Sequence, residues 1–284
     1  MGKSIVIIIL LITASSLTAQ VNNISDALAR MESAIDNSQE EFSKRDSYYL
    51  GRTVAAHILY HFRLCMEKPA LTNYLNLICK TLAINSAAPD WYNGYYVMVL
   101  DTPAPNAFST PGGHIFITRG LLDLASSEDM LATIIAHELA HIQLQHGTAE
   151  IMNTRTVQRL GQEQQRILQN LSIETQQQLF SELVNEIVDS LFSRGYSQLQ
   201  EFEADSLALN ILASAGYNPG SLIETLRIFE SIQGNQTSSL NATHPLPSQR
   251  IANIERQMQA YRSFSNTSIT RRNRFNNILE RSSN

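Results

Sequence analysis

Apolar residues recur at helical spacing through the first third of the chain and again through its second half, with a strand-like stretch between them. From Ile24 to Leu82 the periodic positions are Ala27, Leu28, Met31 and Ile35, then Val54, Ile58 and Phe62, then Leu71, Leu75 and Ile78. This pattern predicts amphipathic helices, two of them separated by Pro69. Tyr95 to Leu100 is aromatic and β-branched enough for a strand, and Ile115 to Thr118, after the Pro111-Gly112-Gly113 turn, predicts another. Two or three short strands do not close a barrel. Ser126 precedes Glu128 and Asp129, an expected helix cap followed by first-turn acids, and Met130 to Gln145 runs on as a mostly apolar helix.

Downstream, a Gln-rich and polar-faced helical stretch covers residues 154–192 and is expected to form an arm or lid. Gln198 to Ala213 predicts a helix stopped by Gly216 and Pro219, and Pro219 to Ile232 predicts the next, ended by Gly234. Asn235 to Ser248 has loop composition, and Ser248 is expected to cap a last helix reaching Tyr261. The basic, polar tail at 263–284 is expected to fray. The elements sum to an α+β class: one mostly helical domain over 20–262 with a small β-sheet, without a solenoid repeat.

Composition narrows the function. With 284 residues, 43% of them hydrophobic, the chain can bury a full core. Its charge of −5 and the absence of a long basic stripe set nucleic acid aside as a partner. Lys3, the apolar run Ile5 to Ile12 and the small residues Thr13 to Ala19 read as a secretory signal over 1–19, so the mature protein is expected to be exported. That run is too short for the roughly 20 apolar residues of a membrane span. Export would let Cys65 and Cys79 pair, closing a loop of about 15 residues worth roughly 3 kcal/mol. Two buried thiols on neighbouring helices are the alternative.

The chemistry centres on His137-Glu138-Leu139-Ala140-His141. Histidines four apart on a helix project side by side and can grip one ion, while Glu138, a step round, can act as general base on a water at the metal. The apolar flanks Thr133 to Ala136 bury this helix, where imidazole and carboxylate groups need a ligand or partner. Zinc catalysis needs a third protein ligand and an open position. Glu201 in Glu201-Phe202-Glu203-Ala204-Asp205 supplies it: with Glu201 as ligand, Asp205 lies one turn later on the same face, placed to orient a ligating histidine. Glu203 is the rival ligand. His146 does not fit the extended His-Glu-x-x-His-x-x-Gly-x-x-His pattern, because Leu144 replaces its glycine and Gly147 holds its last position. It reads instead as a helix-end histidine. His57 and His61 lack an intervening acid and read as structural.

With these residues, Asn106-Ala107-Phe108, Pro111 to Gly120, Gly195-Tyr196-Ser197 and Thr243-His244-Pro245, the chain resembles the zinc metallopeptidase family of the CAAX prenyl proteases and HtpX, in its soluble periplasmic BepA-like branch, over about Gly51 to Tyr261. The resemblance implies a gluzincin fold with its small sheet at the edge of the active-site cleft. It implies one Zn2+ per chain on His137, His141 and Glu201, with Glu138 as the catalytic base. It further implies that His244 approaches the metal, as an oxyanion stabiliser or as an inhibitory fourth ligand, and that Asn106, Gly113, His114, Ile115 and Tyr196 bind an extended peptide beside the His114 to Thr118 strand. Gln198 stands where family members often carry arginine. The expected function is zinc-dependent endopeptidase cleavage of exported, unfolded or misassembled envelope proteins. Polypeptides are the expected partners, with room for peripheral association with the envelope membrane or an assembly machinery. The alternative is a chaperone-like assembly factor whose zinc site is latched and rarely active.

Overall fold

Ser43 opens the first helix of the computed structural model, which describes residues 43–66, 69–152, 185–186, 195–233, 244, 247–262, 264 and 268–283. The expected signal segment and the Ile24 to Ile35 helix lie outside these residues, as does the Gln-rich arm except at 185–186. The Ser43 hydroxyl accepts a hydrogen bond from the Asp46 N–H and caps α1 (Lys44–His61), whose buried face carries Leu50, Gly51, Val54 and Ile58. Phe62 ends the helix in an extended conformation. Pro69 sits at the first position of α2 (Pro69–Ile84), where its missing N–H costs nothing, and Leu71, Leu75, Ile78 and Leu82 turn inward.

The sheet has three strands, β1 (Tyr96–Leu100), β2 (Ala107–Thr110) and β3 (His114–Thr118), in the order β1-β3-β2. β3 runs parallel to β1, pairing Tyr96 with His114, and antiparallel to β2, pairing Ala107 with Ile117. The β2–β3 turn uses Gly112 and Gly113 at φ 87° and 105°. A Cβ on Gly112 would lie 2.3 Å from the Tyr48 Cα, so α1 can approach only a glycine. The His114 to Thr118 strand, expected at the cleft's edge, lies instead at the centre of the sheet. The tight turn forces β2 onto one side of β3 while β1 takes the other, which leaves β3 central and its backbone bonded on both edges. β2 is the edge strand on the side of the histidine helix, and the Ser109 hydroxyl lies 3.4 Å from the Glu138 carbonyl oxygen. Asn76 blunts the outer edge of β1, donating to the Val97 carbonyl and accepting from the Val97 N–H.

After the short α3 (Arg119–Leu122), α4 (Glu128–Gln143) carries the histidines through the centre of the core. Its cap is Ser127, one residue later than expected: Ser127 is extended and its hydroxyl accepts from the Met130 N–H. The apolar run expected to continue to Gln145 breaks sooner, because Gln145 takes φ 56° and the chain restarts as α5 (His146–Met152). α6 (Gln198–Ser214), begun by a Ser197–Gln200 capping box, packs along α4. α7 (Ser221–Gln233) and α8 (Pro247–Gln257), which tightens into a 3-10 turn at Met258–Tyr261, bury Leu222, Leu226 and Ile254 against Leu209. Among the described residues no helix is long and apolar enough to cross a membrane.

Over Ile269–Ser283 the tail does not fray. It forms α9 (Ile269–Ser283), which buries Phe275 in the main core. Arg274 grips Glu128 and Arg271 grips Asp129. Both acids sit buried at the start of α4, where Glu128 also accepts from Tyr74 and Tyr217. Two buried carboxylates without partners would be costly, so the tail's basic residues pack where composition suggested solvation. Cys65 and Cys79 are free thiols, and burial pushes Cys79 up to about 12. Phe275→Ala is expected to lower stability by about 3 kcal/mol, read as a shift in the urea unfolding midpoint. An unchanged midpoint would mean that the tail contributes nothing to the folded core.

Candidate metal centre

α4 and α6 cross with polar side chains facing each other at the contact. From α4 come His137 and His141, one turn apart, with their Nε2 atoms 3.0 Å from each other. From α6 comes Glu201, whose Oε2 lies 3.5 Å from His137 Nε2 and whose Oε1 lies 3.4 Å from His141 Nε2. His244 enters from the far side, its Nδ1 2.8 Å from Glu201 Oε1 and 3.4 Å from His137 Nε2. Donor atoms held tetrahedrally at about 2.0–2.1 Å from one zinc ion lie roughly 3.3 Å apart. The four groups have the spacing of such a shell, and His137, His141, Glu201 and His244 form a cluster able to hold a metal ion. Thr243 and Pro245, on either side of His244, lie outside the described residues.

The donor chemistry suits a dication. Burial pushes the Glu201 carboxyl upward, but His244 and Arg250 outweigh it and hold the group well below its ordinary range. Glu138 follows the same balance: burial raises it, while His244 and the two helix histidines bring it to about 2. Burial drives His141 down to about 3, leaving a neutral ring with a lone pair to give. For His244 burial pushes down, yet the carboxylates of Glu201 and Glu138 win and raise it to about 10. Glu138 Oε2 is buried with no hydrogen-bond partner among the described residues. An ionised oxygen is thus left without a protein partner at the edge of the cluster. A pocket with Leu121, Ile134, Leu222, Leu226 and Phe229 in its lining also reaches His137, Glu138 and His244.

The structure also places the surrounding residues. Asp205 Oδ1 stands 3.1 Å from His137 Nδ1, one helical turn beyond Glu201. Glu203 points away from the cluster, half exposed, with its carboxylate 3.3 Å from His146 Nε2. His146, expected at a helix end, lies just past the end of α4 as the first residue of α5, and it is buried. Tyr196, expected at the substrate, is almost wholly buried and stacks on the His141 ring at 4.0 Å and 16°. Gly113, His114 and Ile115 are likewise taken up by the scaffold. Gly113 accepts from the Tyr96 N–H, His114 stacks on Tyr48, and Ile115 pairs between Val97 and Ser109 in the core. Asn106 leads into β2, its N–H bonded to the Thr118 hydroxyl.

One participant was missed from sequence. Arg250, on α8, is buried and binds two carboxylates at once: Nη1 lies 2.7 Å from Glu201 Oε2, Nη2 2.7 Å from Asp205 Oδ1, and Nε donates to Asp205 Oδ2 at 2.9 Å. By taking Oε2 it leaves Glu201 Oε1 toward His141 and His244. A signal existed, because Pro247, Arg250 and Ile254 fall on one buried helical stripe, and an arginine in that stripe needs an acid to meet.

The chain is similar to known metalloproteases. The profile of peptidase family M48 matches residues 69–258. The chain is 30% identical over 198 residues to mitochondrial metalloendopeptidase OMA1 of Schizosaccharomyces pombe, covering 69% of this chain and 56% of that protein. It is 30% identical over 158 residues to metalloprotease LoiP of Escherichia coli K12, covering 55% and 59%. To the beta-barrel assembly-enhancing protease of the same organism it is 23% identical over 206 residues, covering 69% and 41%. The chain spans about half the length of the curated relatives it matches.

Removing Arg250 would strand two buried anions. Arg250→Leu is expected to destabilise the protein by about 3–5 kcal/mol, measured by urea denaturation in excess chelator so that metal affinity does not enter. Arg250→Lys, which keeps the charge but not the two-pronged grip, is expected to fall between the two.

Proposed function

The chain belongs to peptidase family M48, and from that premise we propose that it is a zinc-dependent endopeptidase acting on exported, unfolded or misassembled envelope proteins. The observation that carries the reading is the meeting of His137, His141 and Glu201 beside a carboxylate, Glu138, with one oxygen unpartnered. His137, His141 and Glu201 are the proposed ligands. Bound there, zinc supplies a Lewis acid that polarises the scissile carbonyl. Glu138 takes the proton of the attacking water and delivers it to the leaving amine, a role its anionic, dry carboxylate fits. Asp205 holds the His137 ring through Nδ1, and Arg250 keeps Asp205 and Glu201 in place.

For the substrate, β2 is the strand against which an extended peptide would lie, with Asn106 at its start and Ala107 lining the pocket beside Glu138. That pocket suits an apolar side chain next to the cleaved bond, the kind unfolded chains expose. The envelope assignment draws on the signal-like segment at 1–19, and on similarity to a relative whose name ties it to beta-barrel assembly. Peripheral contact with a membrane or an assembly machinery would follow from the same setting.

A second reading is favoured by one observation. His244 fills the fourth corner of the ligand cluster and stands 3.4 Å from Glu138, and the whole cluster is buried. In this arrangement His244 acts as a latch, and a protein that rarely opens it would serve as a chaperone-like assembly factor. Displacement of His244 by substrate joins the two readings into one cycle.

Glu138→Gln is expected to retain a single zinc ion by elemental analysis and to cut denatured casein slower by on the order of 10²–10⁴-fold. Undiminished turnover would remove Glu138 from the chemistry. His137→Ala is expected to lose both metal and cleavage. His244→Ala is expected to degrade casein faster than wild type; a slower rate would assign His244 to stabilising the oxyanion.

A further inference from the structure

Each imidazole of the proposed ligand pair has a second nitrogen, and only that of His137 meets a carboxylate directly. Nδ1 of His141 lies instead 2.9 Å from Nδ1 of His146, and Nε2 of His146 lies 3.3 Å from Glu203 Oε2. The turn that brings His146 there is specific. α4 stops at Gln143, Gln145 takes a left-handed conformation, and the first residue of α5 folds its ring back onto the helix just left. The pocket around it is tight, since a Cβ on the neighbouring Gly147 would lie 3.3 Å from the Tyr196 hydroxyl, and Tyr196 covers the face of His141.

The direction of the hydrogen bonds follows from elementary imidazole chemistry. A histidine that offers Nε2 to a metal carries its proton on Nδ1. At 2.9 Å the His146 Nδ1 must then accept, which places the proton of His146 on Nε2, facing Glu203. We propose that His146 is a positioning residue for the metal, fixing the tautomer and the ring orientation of His141, with Glu203 orienting His146 in turn. His137 is held by an acid on α6, while His141 is held by an imidazole relay that reaches a half-exposed acid on the same helix. The inference gives Glu203 a function that is not ligation, and it rests on the reading of His137, His141 and Glu201 as zinc ligands.

The test uses the full chain, stripped of metal and titrated with zinc against a competing chelator. Loss of an outer-shell partner of a ligating histidine typically costs 10–100-fold in metal affinity, and His146→Leu is expected to show a loss of that order. His146→Asn, whose side-chain oxygen can accept where Nδ1 did, is expected to recover most of it. With cobalt in place of zinc, the visible absorption bands are expected to shift in His146→Leu and to return toward wild type in His146→Asn. Circular dichroism and the thermal midpoint in excess chelator confirm that each variant is folded. Wild-type affinity and spectrum in His146→Leu would overturn the proposal, as would equal losses in folded Leu and Asn variants. If wild type binds no zinc, or Glu201→Ala leaves its affinity unchanged, the ligand assignment itself falls. Intact wild-type binding with an indifferent His146 removes this inference alone.

Discussion

Where α4 meets α6, the cost of taking charge out of water governs the design. Helices of a core ordinarily meet through apolar side chains, but this contact holds His137, Glu138 and His141 against Glu201 and Asp205, all buried. An ion left in such a place costs several kcal/mol even after relaxation. The chain meets this cost with shared partners. Arg250 answers two carboxylates, Glu201 and Asp205, with one guanidinium, His244 lies between Glu201 and Glu138, and Asp205 bonds both Arg250 and His137. No member of the cluster can be removed without leaving another unmatched, which gives the site its rigidity and makes it costly to keep without a catalytic or binding return.

The same logic repeats at the other end of α4. Glu128 and Asp129 favour the helix N-terminus through its dipole, yet they are buried, so they recruit Tyr74, Tyr217, Arg271 and Arg274. One helix is therefore pinned at both ends by polar clusters, with an apolar middle packed on α2, α7 and the sheet. A rod held this way keeps its two imidazoles in one register relative to β2, the strand beside Glu138.

Much of this was legible in the sequence. Helical spacing located the buried faces of α1 and α2, and the HExxH pentapeptide with Glu201 and Asp205 named groups that the fold brings together, because helical periodicity alone decides which side chains share a face. What was not legible depended on contacts across the chain. β2 has four residues and no alternation to announce it, so β3 was taken for the edge. Gly113, His114 and Ile115 belonged to the expected peptide site, and the central position of β3 assigns them to the scaffold. Arg250 drew no reading and Arg271 and Arg274 fell in a tail expected to fray, because their acids lie far along the chain. His146 was judged by falling one residue early for the last histidine of an extended motif, whereas its placement depends on the backbone turn at Gln145.

Sequence separation has a consequence for how the centre comes into being. His137 and Arg250 are 113 positions apart, and His244 reaches Glu201 across 43. Glu201 comes within range of the two histidines only after α4 and α6 have docked, and Arg250 meets it only when α8 joins them, against the entropy of closing long loops. A nascent or half-folded copy thus displays histidines and acids to water with no pocket between them. A centre assembled this way is a property of the finished fold, so the hydrolytic capacity proposed for it would arrive only once α4 and α6 have met.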